Sequence, residues 1–199
     1  VFSDDFEKYE TGPLPAKGWV INANSGNNCR VDVVEQGGRK FLNVSDRGDS
    51  AIRVSAESIP GVDSKLVRLS FDMYEVAGAD LSGSMAVRVG IGNVKDGPSI
   101  INGVRPEDGR LRPGGSYPLD RWVHLDLFFN ETAEAVTYKS PDGKTAKLNS
   151  GLMDVWIDKK LTASNKVQDR SVEELTAIQS LRIETYSASF QEVWFDNME

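Results

Sequence analysis

The chain has one cysteine and one histidine in 199 residues. A lone thiol, Cys29, excludes an internal disulfide and any cysteine-based zinc cluster. Only His124 is available to activate it as a nucleophile, so a buried or incidental thiol is the simpler reading. Basic residues are also in short supply. Lys and Arg total 23 against 30 Asp and Glu, for a net charge of -7. Such a chain has no electrostatic footprint for nucleic acid and no basic amphipathic helix for an anionic membrane. No apolar run is long enough to span a bilayer. Gly90-Ile91-Gly92 lacks the third glycine and the following helix of a phosphate-cradling loop. There is no internal repeat, linker or low-complexity segment, so residues 1–199 read as a single domain. The chain opens at Val1 with neither an initiator Met nor a leader. That fits an exported protein, extracellular or periplasmic, or a piece of a larger multidomain protein.

What the sequence does have is period-two alternation. In 65–75, Val67, Leu69, Phe71 and Met73 share one face, and Arg68, Ser70, Asp72 and Tyr74 the other. In 121–130, Val123, Leu125, Leu127 and Phe129 oppose Trp122, His124, Asp126 and Phe128. In 84–93, Met85, Val87, Val89 and Ile91 oppose Ala86, Arg88 and the two glycines. Shorter alternating runs cover 30–35, 40–45, 51–55, 135–138, 144–148, 155–157, 180–186 and 190–196, with turn residues between them. The spacing predicts an all-β antiparallel sandwich. Ser171-Val-Glu-Glu174 has the form of a capping box and predicts one short helix over 172–180. The Gly-, Pro- and Asp-rich stretch 95–118 predicts a long loop with a short strand near 99–102.

The two ends carry strand patterns and carboxylates. Val193 and Phe195 point one way, and Glu192, Trp194 and Asp196 the other. If this strand pairs with the opening residues, several carboxylates meet at one seam, which then needs a cation or several hydrogen bonds. Calcium takes six to eight oxygen ligands. Asp5, Glu7 and Asp196 are the candidate side-chain donors, with a carbonyl of the Gly37-Gly38 turn beside them. The plainer alternative is that they are edge charges that discourage sheet-to-sheet association.

Three motifs occur in order along the chain: Asp4-Asp5-Phe6-Glu7 followed by Gly-Pro-Leu-Pro and Trp19; Trp122 with Leu125 and Leu127; and Val193-Trp-Phe-Asp-Asn197 at the end. With them the sequence resembles the concanavalin A-like lectin/glucanase jelly rolls, including laminin-G-like modules. The resemblance implies two stacked antiparallel sheets, calcium where the first and last strands meet, and a saccharide partner. It does not choose among lectin, binding module, hydrolase and lyase, because this fold hosts all of them.

If the strands over 65–75, 84–93 and 121–130 are neighbours, then Arg68, Tyr74, Arg88, Trp122, His124 and Asp126 line one groove. Aromatic faces with a few polar groups suit a polysaccharide or oligosaccharide. The same groove suggests a second reading, a polysaccharide lyase or glycoside hydrolase. A lyase needs a Tyr or His base and a group to neutralise the uronate carboxylate, and His124 with Tyr74 or Tyr186 and Arg88 would fit that chemistry. Asp72 and Asp126 would be the carboxylates of a hydrolase. The remaining tryptophans, Trp19, Trp156 and Trp194, read as core or edge packing rather than as sugar platforms. Asn43-Val-Ser and Asn130-Glu-Thr match the glycosylation pattern.

Overall fold

The computed structural model describes residues 2–16, 18–23, 29–48, 52–56, 64–78, 85–91, 99–168, 170–185 and 190–199. The alternating segments form strands in two large antiparallel sheets, numbered here in chain order. The larger sheet runs, from edge to edge, β1 (Gly12–Pro13), β3 (Cys29–Gln36), β4 (Arg39–Arg47), β16 (Phe190–Asp196), β6 (Leu66–Glu75), β10 (Val123–Asn130), β13 (Leu152–Ile157) and β14 (Lys160–Lys166). The smaller runs β2 (Trp19–Ala23), β5 (Ile52–Ala56), β15 (Ser180–Thr185), β7 (Met85–Ile91), β8 (Ser99–Glu107) and β9 (Arg110–Arg112). A separate hairpin joins β11 (Val136–Lys139) to β12 (Thr145–Leu148).

The core lies between the two large sheets. Val33, Leu42, Val44, Phe71, Met73, Leu125, Leu127, Val193 and Phe195 fill it from the larger sheet, and Val54, Val87, Ile101 and Ile183 from the smaller. Period two sends every second side chain of a strand to the same face. The alternate residues of β4, β16, β6 and β10 therefore stand together on the outward face of the larger sheet. A second, smaller cluster of Phe128, Leu148 and Trp156 lies on that outward face, where the β11–β12 hairpin covers β10 and β13.

The chain ends meet. Asp4 and Met198 exchange backbone hydrogen bonds of 2.8 and 2.9 Å, and Glu199 exchanges two of 2.9 Å with Ser70. Phe6 and Phe195 are both fully buried in the shared core.

Three expectations are corrected. Among the described residues there is no helix at 172–180. Ser171 uses its amide and hydroxyl on the β8 edge instead: Ser171 N–H donates to Ile100 O at 2.9 Å, and Ile100 N–H donates to Ser171 Oγ at 2.8 Å. With its cap committed to a tertiary bond, the segment has nothing to start a helix. The 99–118 part of the expected long loop contains two strands, β8 and β9. Buried Ile101, Val104 and Leu111 draw it onto the sandwich. The strands over 65–75 and 121–130 are indeed neighbours, with His124 opposite Asp72 and Asp126 opposite Ser70. The strand over 85–91, however, belongs to the other sheet, between β15 and β8. Among the described residues no helix is long and apolar enough to cross a membrane.

Glu75 closes the end of β6. Its buried carboxylate accepts from Asp108 N–H at 3.1 Å, Gly109 N–H at 3.0 Å, Gln191 Nε2 at 2.8 Å and the Tyr117 hydroxyl. It ties the larger sheet to the β8–β9 turn. Glu75→Ala strands these donors away from water, and we expect a loss of about 2–4 kcal/mol in urea unfolding. A loss below about 1 kcal/mol would show that the turn finds other acceptors.

Candidate functional site

The outward face of the larger sheet brings together most of the residues expected there. Register sets them in rows across the strands. Asn43, Trp194 and Tyr74 lie level on β4, β16 and β6. Trp122, just before β10, extends that row, since its neighbour Val123 pairs with Met73. One step along, Asp196, Asp72 and His124 form a parallel row on β16, β6 and β10.

The first row is aromatic. The Trp194 and Tyr74 rings stack at 4.4 Å and 12°. Phe41 stacks on the other side of Trp194 at 4.7 Å and 28°. Trp122 leans over all three, at 5.6 Å from Tyr74, 6.3 Å from Trp194 and 5.3 Å from Phe41. Phe41 is only 2% exposed despite pointing away from the core. The other three rings are partly buried and keep some surface in solvent. The Arg39 guanidinium sits 4.6 Å from the Trp122 ring, a cation–π contact.

The second row is a chain of charges. Arg39 Nε donates to Asp196, and Arg39 Nη2 donates to Asp72 Oδ2 at 2.8 Å. Asn197 Nδ2 donates to the same Asp72 oxygen at 2.7 Å. Asp72 Oδ1 lies 2.7 Å from His124 Nδ1. His124 Nε2 faces Ser70 Oγ at 3.2 Å and Asp126 Oδ2 at 3.5 Å. Asp126 Oδ1 accepts from Arg68 Nε at 2.8 Å and Nη2 at 2.6 Å. Asp126 and Asp72 together push the imidazole up to about 9, so His124 is an imidazolium at neutral pH. Burial alone would raise both carboxyls, but hydrogen bonds outweigh it. Those from His124, Asn197 and Arg39 hold Asp72 below the ordinary range, and those from His124 and Arg68 do the same for Asp126. Burial and nearby Asp120 raise the Tyr74 phenol.

One side of this face is walled by the β11–β12 hairpin. Tyr138 stacks on Phe128 at 4.1 Å, donates to Asp154 Oδ2 at 2.7 Å and accepts from Trp156 Nε1 at 2.9 Å. Beyond Trp194 on the other side is a shallow groove of ≈ 270 Å³, lined by Val34, Glu35, Gln36, Phe41, Asn43 and Glu192 with Trp194. Glu192 accepts from Trp194 Nε1 at 3.0 Å and from Arg47 Nη2 at 2.8 Å.

Arg68, Tyr74, Trp122, His124 and Asp126 thus share one surface, as expected. Arg88 does not. It stands on β7 of the smaller sheet, buried and ion-paired with Glu184. Strand parity places a side chain on a face but leaves open which sheet the strand joins. Tyr186 lies outside the described residues. Phe41, Trp194, Arg39 and Asp196 are the members not anticipated on this surface. Parity does turn Trp194 outward, and an indole on a polar face was the available signal.

The candidate calcium ligands do not assemble. Asp5 is exposed, and its Oδ1 accepts from Glu7 N–H at 3.2 Å. Glu7 Oε1 accepts from Lys40 N–H at 2.9 Å. Asp196 is held by Arg39 on the outward face. Among the described residues no three His, Cys, Asp or Glu side chains are grouped to hold a metal. The seam is satisfied by hydrogen bonds instead: the Asp4 carboxylate accepts from Phe6 N–H at 3.1 Å, Tyr9 Oη at 2.7 Å and Trp19 Nε1 at 2.9 Å. Asp5, Glu7 and Asp196 are thus engaged separately rather than as one ligand set. Cys29 is inert; burial and Asp46 push its thiol up to about 11. Asn130 is fully buried, with its amide donating to Glu134 O and Leu148 O, so it cannot serve as a glycosylation acceptor.

A raised imidazole pKa has a definite sign in stability. Its contribution is complete below the unfolded value of about 6.5 and is lost as pH rises through about 9. We expect the melting temperature to fall between neutral pH and pH about 10 more steeply than in His124→Gln. His124 is the only histidine, so its proton resonances are unambiguous in solution. An NMR titration midpoint near the ordinary 6.5 would contradict the sandwiched imidazolium.

No family model and no curated protein matches the sequence. Solved structures do resemble the fold. The cellulose induced protein Cip1 superposes with a TM-score of 0.63 at 14% identity, covering 100% of this chain and 96% of its own. An alginate lyase Aly36B double mutant in complex with an alginate trisaccharide gives 0.57 at 11%, covering 98% and 95%. The carbohydrate esterase of the Shiga toxin-encoding bacteriophage phi24B gives 0.53 at 13%, covering 92% and 88%. At these identities the likeness establishes a shared jelly-roll β-sandwich, and no particular lectin or glucanase family.

Proposed function

We propose that this chain is a carbohydrate-binding module, extracellular or periplasmic, whose site is the outward face of the larger sheet. The observation that carries the reading is the aromatic row. Three partly exposed rings, Tyr74, Trp122 and Trp194, pack on one another level across three adjacent strands, with Phe41 behind the two tryptophans. Sugar rings present C–H faces that pack on such apolar surfaces, here on what Phe41 and Tyr74 leave uncovered of Trp194 and its neighbours, while their hydroxyls need donors and acceptors at the rim. The charged row beside the platform supplies both, already held in place by its own hydrogen bonds. The neighbours' names, a cellulose-induced protein and two carbohydrate-active enzymes, agree with this reading.

The face is built for binding rather than turnover. A lyase needs an unprotonated base near neutral pH, but His124 holds its proton up to about 9 and the Tyr74 phenol is raised. A hydrolase needs one carboxyl group kept protonated; burial raises Asp196, but Asp72 and Asp126, the expected pair, are both shifted the other way. Arg88, the expected neutraliser of a uronate, belongs to the other sheet.

Trp194→Ala and Trp122→Ala should each weaken binding to a polysaccharide found by glycan array by about tenfold or more, as buried aromatic anchors do, with unchanged far-ultraviolet circular dichroism. No ligand on a broad array would overturn the reading. Incubation with uronate polymers should give no unsaturated product in the ultraviolet. Product formation that His124→Ala abolishes would replace binding with lyase catalysis.

A further inference from the structure

We propose that the polymer recognised on this face is uncharged, a neutral glycan running across the strands, and that polyuronates are rejected. The inference rests on the carbohydrate-binding reading above and names the class of sugar.

The first argument is the pairing of charges. Arg39, His124 and Arg68 are the cations of the polar row, and Asp196, Asp72 and Asp126 its anions. Every cation in the row already faces a carboxylate. In the groove beyond Trp194, Arg47 is likewise taken by Glu192. At the margins the exposed Arg30 and Arg121 each have an aspartate within two residues in sequence, Asp32 and Asp120. A uronate carboxylate arriving here would have to displace an existing partner and leave that anion uncompensated. A site for a polyanion keeps cations to spare, and this network has as many anions as cations.

The second argument is what is left over. Asn43 stands level with Trp194, lines the groove, and its Oδ1 is a buried acceptor with no hydrogen-bond partner among the described residues. Such an acceptor calls for a donor. Sugar hydroxyls can donate to it and an ionised carboxylate cannot, so it suits the hydroxyl-bearing part of a saccharide and offers a uronate's charged group nothing. Glu35 and Gln36 add further acceptors along the same groove.

The third argument is direction. Asn43, Trp194, Tyr74 and Trp122 come from successive strands, so their row crosses the sheet at right angles to the chain direction. Neighbouring strands are ~4.8 Å apart, and positions two residues along a strand are ~7 Å apart. A glycan lying along the aromatic row would therefore have the Asp196–Asp72–His124 row at its edge, within reach of its hydroxyls.

The test uses the intact chain in affinity electrophoresis and calorimetry. It is set against neutral polymers (a β-glucan, a xyloglucan, a mannan) and polyuronates (alginate, polygalacturonate), at low and high salt. We expect a neutral polymer to bind with affinity changing less than about twofold between the two salts. Polyuronates should bind at least about tenfold more weakly. Glu192→Gln is exposed enough to fold and keeps an oxygen for Trp194 Nε1. It frees Arg47 beside the platform, and should raise the ratio of polyuronate to neutral-polymer affinity severalfold; an unchanged ratio would contradict charge pairing as the cause of rejection. Preferred binding of a polyuronate, with affinity falling steeply with salt, overturns the inference and leaves the carbohydrate reading standing. Failure to bind any of the polymers overturns both.

Discussion

The larger sheet depends on a strand the chain makes last. β16 lies between β4 and β6, and it alone links the β1–β3–β4 block to the β6–β10–β13–β14 block. Its pairs join residues far apart in sequence, such as Phe195 with Leu42. Closing so long a loop costs conformational entropy before any contact is gained. The compensation is burial: Val193 and Phe195 are fully inside, and the bridge from Asp4 to Met198 fastens the strand's far end. The same strand builds the outward face. Trp194 is sandwiched between rings from the two blocks, Phe41 on β4 and Tyr74 on β6, and Asp196 holds Arg39 of β4 beside Asp72 of β6. Fold closure and site assembly are thus one event, because the platform does not exist until β16 is in place.

Charge on this face is organised by mutual satisfaction. His124 carries its proton because Asp126 and Asp72 flank both ring nitrogens. Those carboxylates stay ionised because the imidazolium and the two arginines face them. Each charge alone on a half-buried sheet would be costly, and together they form a network in which most lone pairs and protons are used. Such a network holds its side chains in fixed positions, which limits the ordering that a ligand must impose on binding.

Much of this was legible in the residues, and the gaps have identifiable causes. Alternation placed Phe71, Met73, Leu125, Leu127, Val193 and Phe195 in the core and turned Arg68, Tyr74, His124 and Asp126 outward, because side-chain parity is a local property of a strand. Which strands become neighbours is not local. The run over 85–91 alternates as cleanly as its peers, yet it joins β15 and β8, and Arg88 goes with it. Ser171 fits a capping box by spacing alone, and only the approach of Ile100 from β8 reveals that its hydrogen bonds are used elsewhere. Phe41 is apolar on an outward-facing position, a conflict that only the neighbouring Trp194 and Trp122 resolve. Of the seam carboxylates, Asp4 does lie where the chain ends meet, bridged to Met198, whereas Asp196 turns to Arg39 and Glu7 to the Lys40 amide. Whether a cation or hydrogen bonds would satisfy them turned on Tyr9 and Trp19, whose polar atoms reach Asp4.

The same face also shows how small a change separates a sheet with a free imidazole from one whose imidazole is fully engaged. An imidazole with a single carboxylate on one nitrogen keeps its other nitrogen free to take a proton, and its pKa stays close enough to neutrality for exchange with substrate. Here β10 supplies a second carboxylate two residues beyond the histidine, on the same side of the strand, and its Oδ2 lies 3.5 Å from His124 Nε2. Asp126 closes the nitrogen that Asp72 leaves open, and Arg68 keeps Asp126 ionised so that it goes on doing so. The spacing His-x-Asp on one strand face, with an arginine on the next strand to hold the aspartate, therefore converts a would-be base into a fixed hydrogen-bond donor. On the proposed reading of this face as a carbohydrate-binding surface, that conversion favours holding a sugar over cleaving one.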